Sequence, residues 1–395
     1  MRRVLFLAPY LGDGGINTHM LTLGTELRRA GLEVAIGSGG AHAGETRFDI
    51  SSERPSAVTA PLPEDYERAG IHHFGISISA SPRRLGDVPR LLLIPVAMWQ
   101  VIRAARRFRP DVVHSHSRQM GLYARVLQLL LGVPFVSSVH SPVTPPNRLW
   151  AATTFLGVRV LAVSDEIRAS LIRDYHVAPD RVRIVPPGPD AGHFRPPSPD
   201  ERWAARQRWG IRDGQFVLGF VGSLTENKHP ETLVEAVVDL EGAGRDVVAL
   251  VAGRGPIEDD VAALAKLRRM GDRVRLLGYQ ESRSVLWAAD VLVLPSRSEG
   301  TPLVVSEAML CGIVVVSTPV GGAVRQLTSG QTGVLFEHEN HHDLAARLDE
   351  LIEHPDHREQ LAARALEEAR AHYSATAMVK AVVATYEDAL SDRRA

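Results

Sequence analysis

A single cysteine, Cys311, stands in 395 residues. One thiol cannot close an internal disulfide, so a disulfide-stapled secreted scaffold is excluded and a reducing compartment is expected. Long apolar runs are missing too. The longest, Leu91 to Trp99, is interrupted by Pro95 and ended by Gln100, far short of the roughly 20 residues a bilayer span needs. The opening Met1-Arg2-Arg3 with Val4 to Ala8 has too short an apolar stretch for a secretory leader, and Gly12, Gly14 and Gly15 follow at once. A first buried strand and a cytoplasmic protein are expected. Charge is nearly balanced: 45 Lys+Arg against 46 Asp+Glu leave a net −1, which removes most of the case for a dedicated nucleic-acid binder. Lysine itself is scarce, with three against 42 arginines.

What is present is ordinary globular material: 45% hydrophobic and 23% charged residues exclude gross disorder, and the length suggests two or three domains. Strands are expected at Val4–Ala8, Leu32–Ile36, Asp111–His114, Pro134–Val139, Val158–Val163 and Val182–Val185. A second series follows at Phe216–Val221, Val247–Val251, Val274–Leu277, Val291–Leu294, Ile313–Ser317 and Gly333–Phe336. The runs are continuously apolar rather than alternating, so both faces are buried, and helical patterns such as Ile16–Ala30 and Pro89–Phe108 lie between them. That combination indicates parallel sheets covered by helices, hence two doubly wound Rossmann-like α/β domains facing a cleft. Pro186 to Pro199, too rich in proline for a helix or central strand, is expected to link them. The domains are then 1–187, with 375–395 crossing back, and 188–374. The stretch Gly39–Ala69 has no clear period and receives no assignment.

Ligands of open α/β sheets bind beyond the carboxyl ends of the strands. The richest such loop lies in Asp290 to Gly312. A buried strand enters a short loop with Glu299, Thr301 is a candidate N-cap, and Pro302 suits the first helical position. The open N–H groups of that helix form an anion site, with Glu307 farther along the helix. Two carboxylates flanking a phosphate site suit a nucleotide sugar, whose hydroxyls lie on both sides of its diphosphate.

This constellation resembles the retaining nucleotide-sugar glycosyltransferases of family 4, which have the GT-B fold. Glu299 and Glu307 match the family's Glu-x7-Glu spacing. Gly14-Gly15 through His19 resembles its first glycine loop, and Pro110 to His116 and Ser137 to His140 its strand ends. Val221-Gly222-Ser223 through Lys228, Gly253-Arg254-Gly255-Pro256 and Leu277-Gly278-Tyr279 follow in the family's order. The chain departs from the pattern at Ser223, where arginine is usual, at His229, where glycine is usual, at Arg325, often glutamate, and at Pro187-Gly188, where Asn-Gly is usual. The resemblance implies a hexosyl-type transferase that passes a sugar from a nucleoside diphosphate, UDP or GDP, to a small-molecule or glycan acceptor with retention of configuration. It implies His140, Lys228 and Glu299 as catalytic residues. It implies donor contacts by Gly14, Gly15, Ser223, Lys228, Arg254, Tyr279, Gly300, Thr301, Leu303 and Glu307, with no cofactor and no metal.

His114, His116 and His140 all sit at strand ends, and zinc would need further ligands that the sequence does not make evident. Asp165 and Glu166, after the N-cap candidate Ser164, suit a helix dipole, and Cys311 suits core packing. The basic segment Arg83–Arg109, with Trp99, reads as a half-buried helix with a solvated basic face rather than a membrane anchor. A dinucleotide-dependent oxidoreductase lacks its fingerprint here, because Gly12, Gly14 and Gly15 do not fit Gly-x-Gly-x-x-Gly and no acidic residue ends the second strand. A non-catalytic sugar-nucleotide-binding subunit is the other alternative.

Overall fold

The computed structural model describes residues 1–9, 11, 15–39, 63–77, 90–140 and 156–392. The chain divides into two compact units, Met1–Pro187 with Met378–Ala395, and Gly188–Ala377. Each is built on one parallel sheet.

In the first unit the strands are β1 (Arg3–Ala8), β2 (Glu33–Gly39), β3 (His72–Ile76), β4 (Val112–Ser115), β5 (Phe135–Val139), β6 (Arg159–Ala162) and β7 (Val182–Ile184). Their order is β3-β2-β1-β4-β5-β6-β7, so the winding reverses between β1 and β4. Leu5, Leu7, Val113 and Phe135 pack with Ala97, Val101 and Leu127 of the helices Arg90–Phe108 and Arg118–Leu131 in one buried core. Each such fully buried side chain contributes about 1.5–3 kcal/mol relative to exposure. The last helix, Ala375–Ser391, returns to this unit: Tyr386 is fully buried, and its hydroxyl shares a 2.7 Å hydrogen bond with His114 Nδ1. Arg183 and Arg159 hold Asp388 and Asp392 of the same terminal segment.

The second unit contains β8 (Phe216–Val221), β9 (Val247–Ala252), β10 (Val274–Gly278), β11 (Val291–Leu294), β12 (Val314–Ser317) and β13 (Val334–Leu335). The order β10-β9-β8-β11-β12-β13 reverses between β8 and β11. At the amino ends of these two neighbours, Asp290 accepts from Val217 N at 2.7 Å and from the guanidinium of Arg202 at 2.6 Å. Arg202 belongs to the helix Pro199–Arg208, so one carboxylate joins both central strands to a covering helix.

Two sequence expectations need correction. β3 was absent from the expected strands. Its two histidines and half-exposed positions give an edge strand without the continuous apolar run that marks the others. The expected linker ends too late. Ser198 caps the helix Pro199–Arg208 through a capping box with Glu201, and Pro199 stands in its first turn, where a missing N–H costs nothing.

Candidate functional site

In the second unit the loops at the carboxyl ends of the strands interlock through backbone contacts. Leu224 N donates to Arg254 O at 2.9 Å, and Gly253 N donates to Gly278 O at 2.8 Å. Gly253 has φ +151°, and a Cβ there would lie 1.8 Å from Gly222 O, so only glycine lets these two turns meet. Ser223, Arg254 and Gly300 are exposed along this rim, and Thr301 and Leu303 are partly covered. The guanidinium of Arg254 reaches toward Gly278. Tyr279 follows with 47% of its surface exposed.

The chemistry concentrates at the switch point. Lys228 ends the turn after β8, and Glu299 lies in the loop after β11. Their side chains meet with Nζ 2.5 Å from Oε1, and Ser296 Oγ donates to the same oxygen at 2.6 Å. The pair is well covered, with 22% of the lysine and 8% of the glutamate side chain exposed. Asn227 fastens the two loops, donating from Nδ2 to Ser298 O at 2.8 Å and accepting from Arg297 N at 2.7 Å. His229, where the resembled family has glycine, adopts a left-handed φ of +48°, and its Nδ1 lies 2.5 Å from Thr232 Oγ1.

The helix beyond Glu299 runs Leu303–Leu310, with Pro302 in the cap position at φ −71°, ψ 111°. The cap is therefore Pro302 and not Thr301 as expected. Gly300 is held from the far side by Gly322 N, which donates to its carbonyl at 2.7 Å, and that contact keeps Thr301 outside the helix. Pro302 has no side-chain group to cap the first helical N–H groups, the groups that an anion at a helix start meets. Glu307 lies four residues past Leu303, about 6 Å along the axis. It is half-buried, and desolvation pushes its pKa up to about 7, against a hydrogen bond from Ser282 and with a smaller push from Glu281.

The raised pKa carries a sign. Between about pH 4.5 and 7 the folded protein holds a proton that the unfolded chain has released, so stability falls as pH rises through that window. Glu307→Gln removes the titration. Its melting temperature relative to the parent is expected to be higher at pH 8 than at pH 5, by about 2–4 °C for each kcal/mol relieved. Paired thermal melts at the two pH values check this, and a constant difference would refute it.

In the first unit, Gly14 lies outside the described residues, and Gly15 begins the helix Gly15–Arg29. His114 is committed to structure: it is fully buried and bonded to Tyr386 and, at 2.8 Å, to Ser138 Oγ. His116 and His140 are different. Both nitrogens of His116 and Nε2 of His140 are buried without a partner among the described residues, and so is Nδ1 of His19. Burial holds His140 down to about 4, and it lowers His19 and His116 well below the usual histidine range, helped by their mutual proximity. His19 was not singled out from the sequence. It is an internal residue of a helix after β1, and only the β1–β4 adjacency brings it beside His116. Cys311 is buried and pushed up to about 12 by desolvation, an inert core thiol.

Two reversed parallel sheets, with a cation and a carboxylate paired at the switch point of the second, are the architecture of the GT-B glycosyltransferases. Residues 13–193 match the family described as Glycosyltransferase Family 4, and residues 201–368 match Glycosyl transferases group 1. The chain is 31% identical to a D-inositol 3-phosphate glycosyltransferase of Frankia alni, over 97% of each chain. It is 32% identical to one of Actinosynnema mirum, over 92% of this chain and 89% of that one. Among solved structures it resembles a glycosyltransferase of Rickettsia africae (TM-score 0.83, 18% identity, 99% of each chain). It also resembles Anabaena HepE in complex with UDP and glucose (TM-score 0.75, 19% identity, 98% of this chain and 100% of that one). The chain belongs to glycosyltransferase family 4. It is an enzyme that moves a sugar from a nucleoside-diphosphate sugar to an acceptor nucleophile with retention of configuration. Among the described residues no helix is long and apolar enough to cross a membrane.

Proposed function

We propose that the second unit binds a UDP-sugar and that the first presents a small polyol acceptor. The observation that carries the donor assignment is the Lys228–Glu299 pair at the switch point, beside the helix start at Pro302, whose own side chain makes no cap. Lys228 and the N–H groups of Leu303 and Val304 hold the diphosphate, with Arg254 as a second cation and Gly300 and Thr301 lining the approach. Glu307 accepts from the ribose diol, Tyr279 offers its ring to the base, and Glu299 accepts from a hydroxyl of the transferred sugar. Ser223 leaves room where an arginine would otherwise stand. His140 is a contact on the acceptor side. The complexes of HepE with UDP and with UDP-glucose favour uridine. The relatives named for D-inositol 3-phosphate favour a polyol phosphate as acceptor.

In the reaction, the acceptor oxygen bonds to the anomeric carbon on the face from which the diphosphate leaves. The carbon–oxygen bond to phosphate breaks, and the leaving phosphate oxygen takes the acceptor proton. Lys228 and the helix N–H groups meet the charge that grows on that oxygen, so the diphosphate itself requires no divalent ion. A cytoplasmic location fits the lone buried thiol.

A thermal-shift panel of UDP, GDP, ADP, CDP and TDP is expected to single out UDP. Calorimetry with UDP then separates the two glutamates. Glu307→Ala should lose about 1.5–3 kcal/mol, roughly 10–150-fold in affinity, because its contact is already made in the ground state. Glu299→Ala should keep its UDP affinity and lose turnover instead. The reverse pattern would place the donor the other way round along the helix.

A further inference from the structure

We propose that His19, His116 and His140 form a metal site for a zinc-class divalent ion, supplying three imidazole ligands. The site lies within the first unit and does not depend on the donor assignment.

The observations are geometric. One nitrogen from each ring lies within 4.8 Å of the others. The ring centroids are 5.0 Å apart for His19–His140, 5.9 Å for His116–His140 and 6.0 Å for His19–His116. Three imidazoles bound tetrahedrally at about 2.0–2.1 Å would place their centroids about 5.2 Å apart, so small side-chain adjustments suffice. His19 and His116 are 7% and 2% exposed. Four of the cluster's ring nitrogens, at least one on each residue, are buried and without a partner among the described residues, whereas buried polar atoms are otherwise almost always paired.

Architecture points the same way. His19 follows β1, His116 follows β4 and His140 follows β5, so the three converge at the switch point of the first sheet. His114, two residues before His116, is held by Tyr386 and Ser138 and is not a ligand. Phe6 packs against His116 at 4.8 Å between centroids and fixes that ring. Three protein ligands among the described residues make a set to which water or an oxygen of a bound ligand can be added.

A second grouping, Asp239 with His341 and His342, lies in the other unit and is partly exposed. It must be removed from the test, so the experiment uses the full chain carrying His341→Ala and His342→Ala. After chelator treatment and dialysis, zinc is titrated by calorimetry and cobalt(II) by visible absorption. One equivalent per chain is expected, with micromolar or tighter affinity and the intense cobalt bands of a tetrahedral site. His19→Ala should weaken zinc by more than the about 10–100-fold that loss of an outer partner costs, and His116→Asn should do the same. Circular dichroism and melting curves show whether each variant is folded. His19→Ala removes a side chain from a helix and leaves the sheet intact, so it reports even if His116→Asn fails to fold. Substoichiometric zinc, a weak octahedral cobalt spectrum, or unchanged affinity in folded His19→Ala would each overturn the proposal.

Discussion

Lys228→Ala is expected to lower turnover by about 10²–10³-fold, the usual cost of deleting one group that stabilises developing charge. In the proposed reaction the diphosphate gains negative charge as the glycosidic bond breaks, and Lys228 is the cation assigned to meet it. The effect should fall mainly on turnover, because in this proposal the helix N–H groups also hold the ground-state nucleotide. The substitution also strips Glu299, 8% exposed in the parent, of the cation it pairs with, leaving it the hydrogen bond from Ser296 Oγ among the described residues. An uncompensated buried charge costs about 3–5 kcal/mol in general. Lys228→Ala/Glu299→Gln should therefore recover stability but not turnover. Steady-state kinetics beside thermal melts of both variants separate the two effects. Recovery of turnover in the double variant would show that the lysine acts only as a structural partner.

Gly321→Ala should be nearly as damaging from a position with no chemistry of its own. A Cβ there would lie 1.7 Å from the carbonyl oxygen of Glu299, and φ is +39°. The methyl group cannot be accommodated unless the Glu299 loop moves. Displacement of a catalytic loop by about 1 Å can cost about 10²-fold in rate. The same shift disturbs Gly322 N, which supports Gly300 at 2.7 Å. A turnover loss of that order is expected, with the secondary-structure content preserved. Near-parental turnover in Gly321→Ala would mean that the loop's position is not critical.

The sheets were largely legible because their strands are buried on both faces. Phe216–Val221 and Val291–Leu294 have the bounds that their apolar runs indicate. Legibility fails where burial is one-sided. His72–Ile76 pairs with β2 along a half-exposed edge, and its histidines carry no periodic signal. Cap positions are blurred for a different reason. Thr301 and Pro302 both suit a helix start, and the choice rests with a hydrogen bond from Gly322, some 20 residues away. The pairing of Lys228 with Glu299 spans 71 positions and follows from strand order alone. His19 was missed on the same grounds. A histidine inside an amphipathic helix looks like any other until the sheet order brings His116 and His140 beside it.

The helix Ala375–Ser391 begins in one unit and ends in the other, and this fixes the sequence of events during synthesis. The first 187 residues leave the ribosome early but lack the segment that carries Tyr386, Asp388 and Asp392. Until that segment emerges, His114 Nδ1 has no hydroxyl to meet it, and Arg159 and Arg183 lack these carboxylates. The unit whose chain appears first is thus completed last. A chain cut before Met378 could close its second sheet but would lack the helical segment that completes the first.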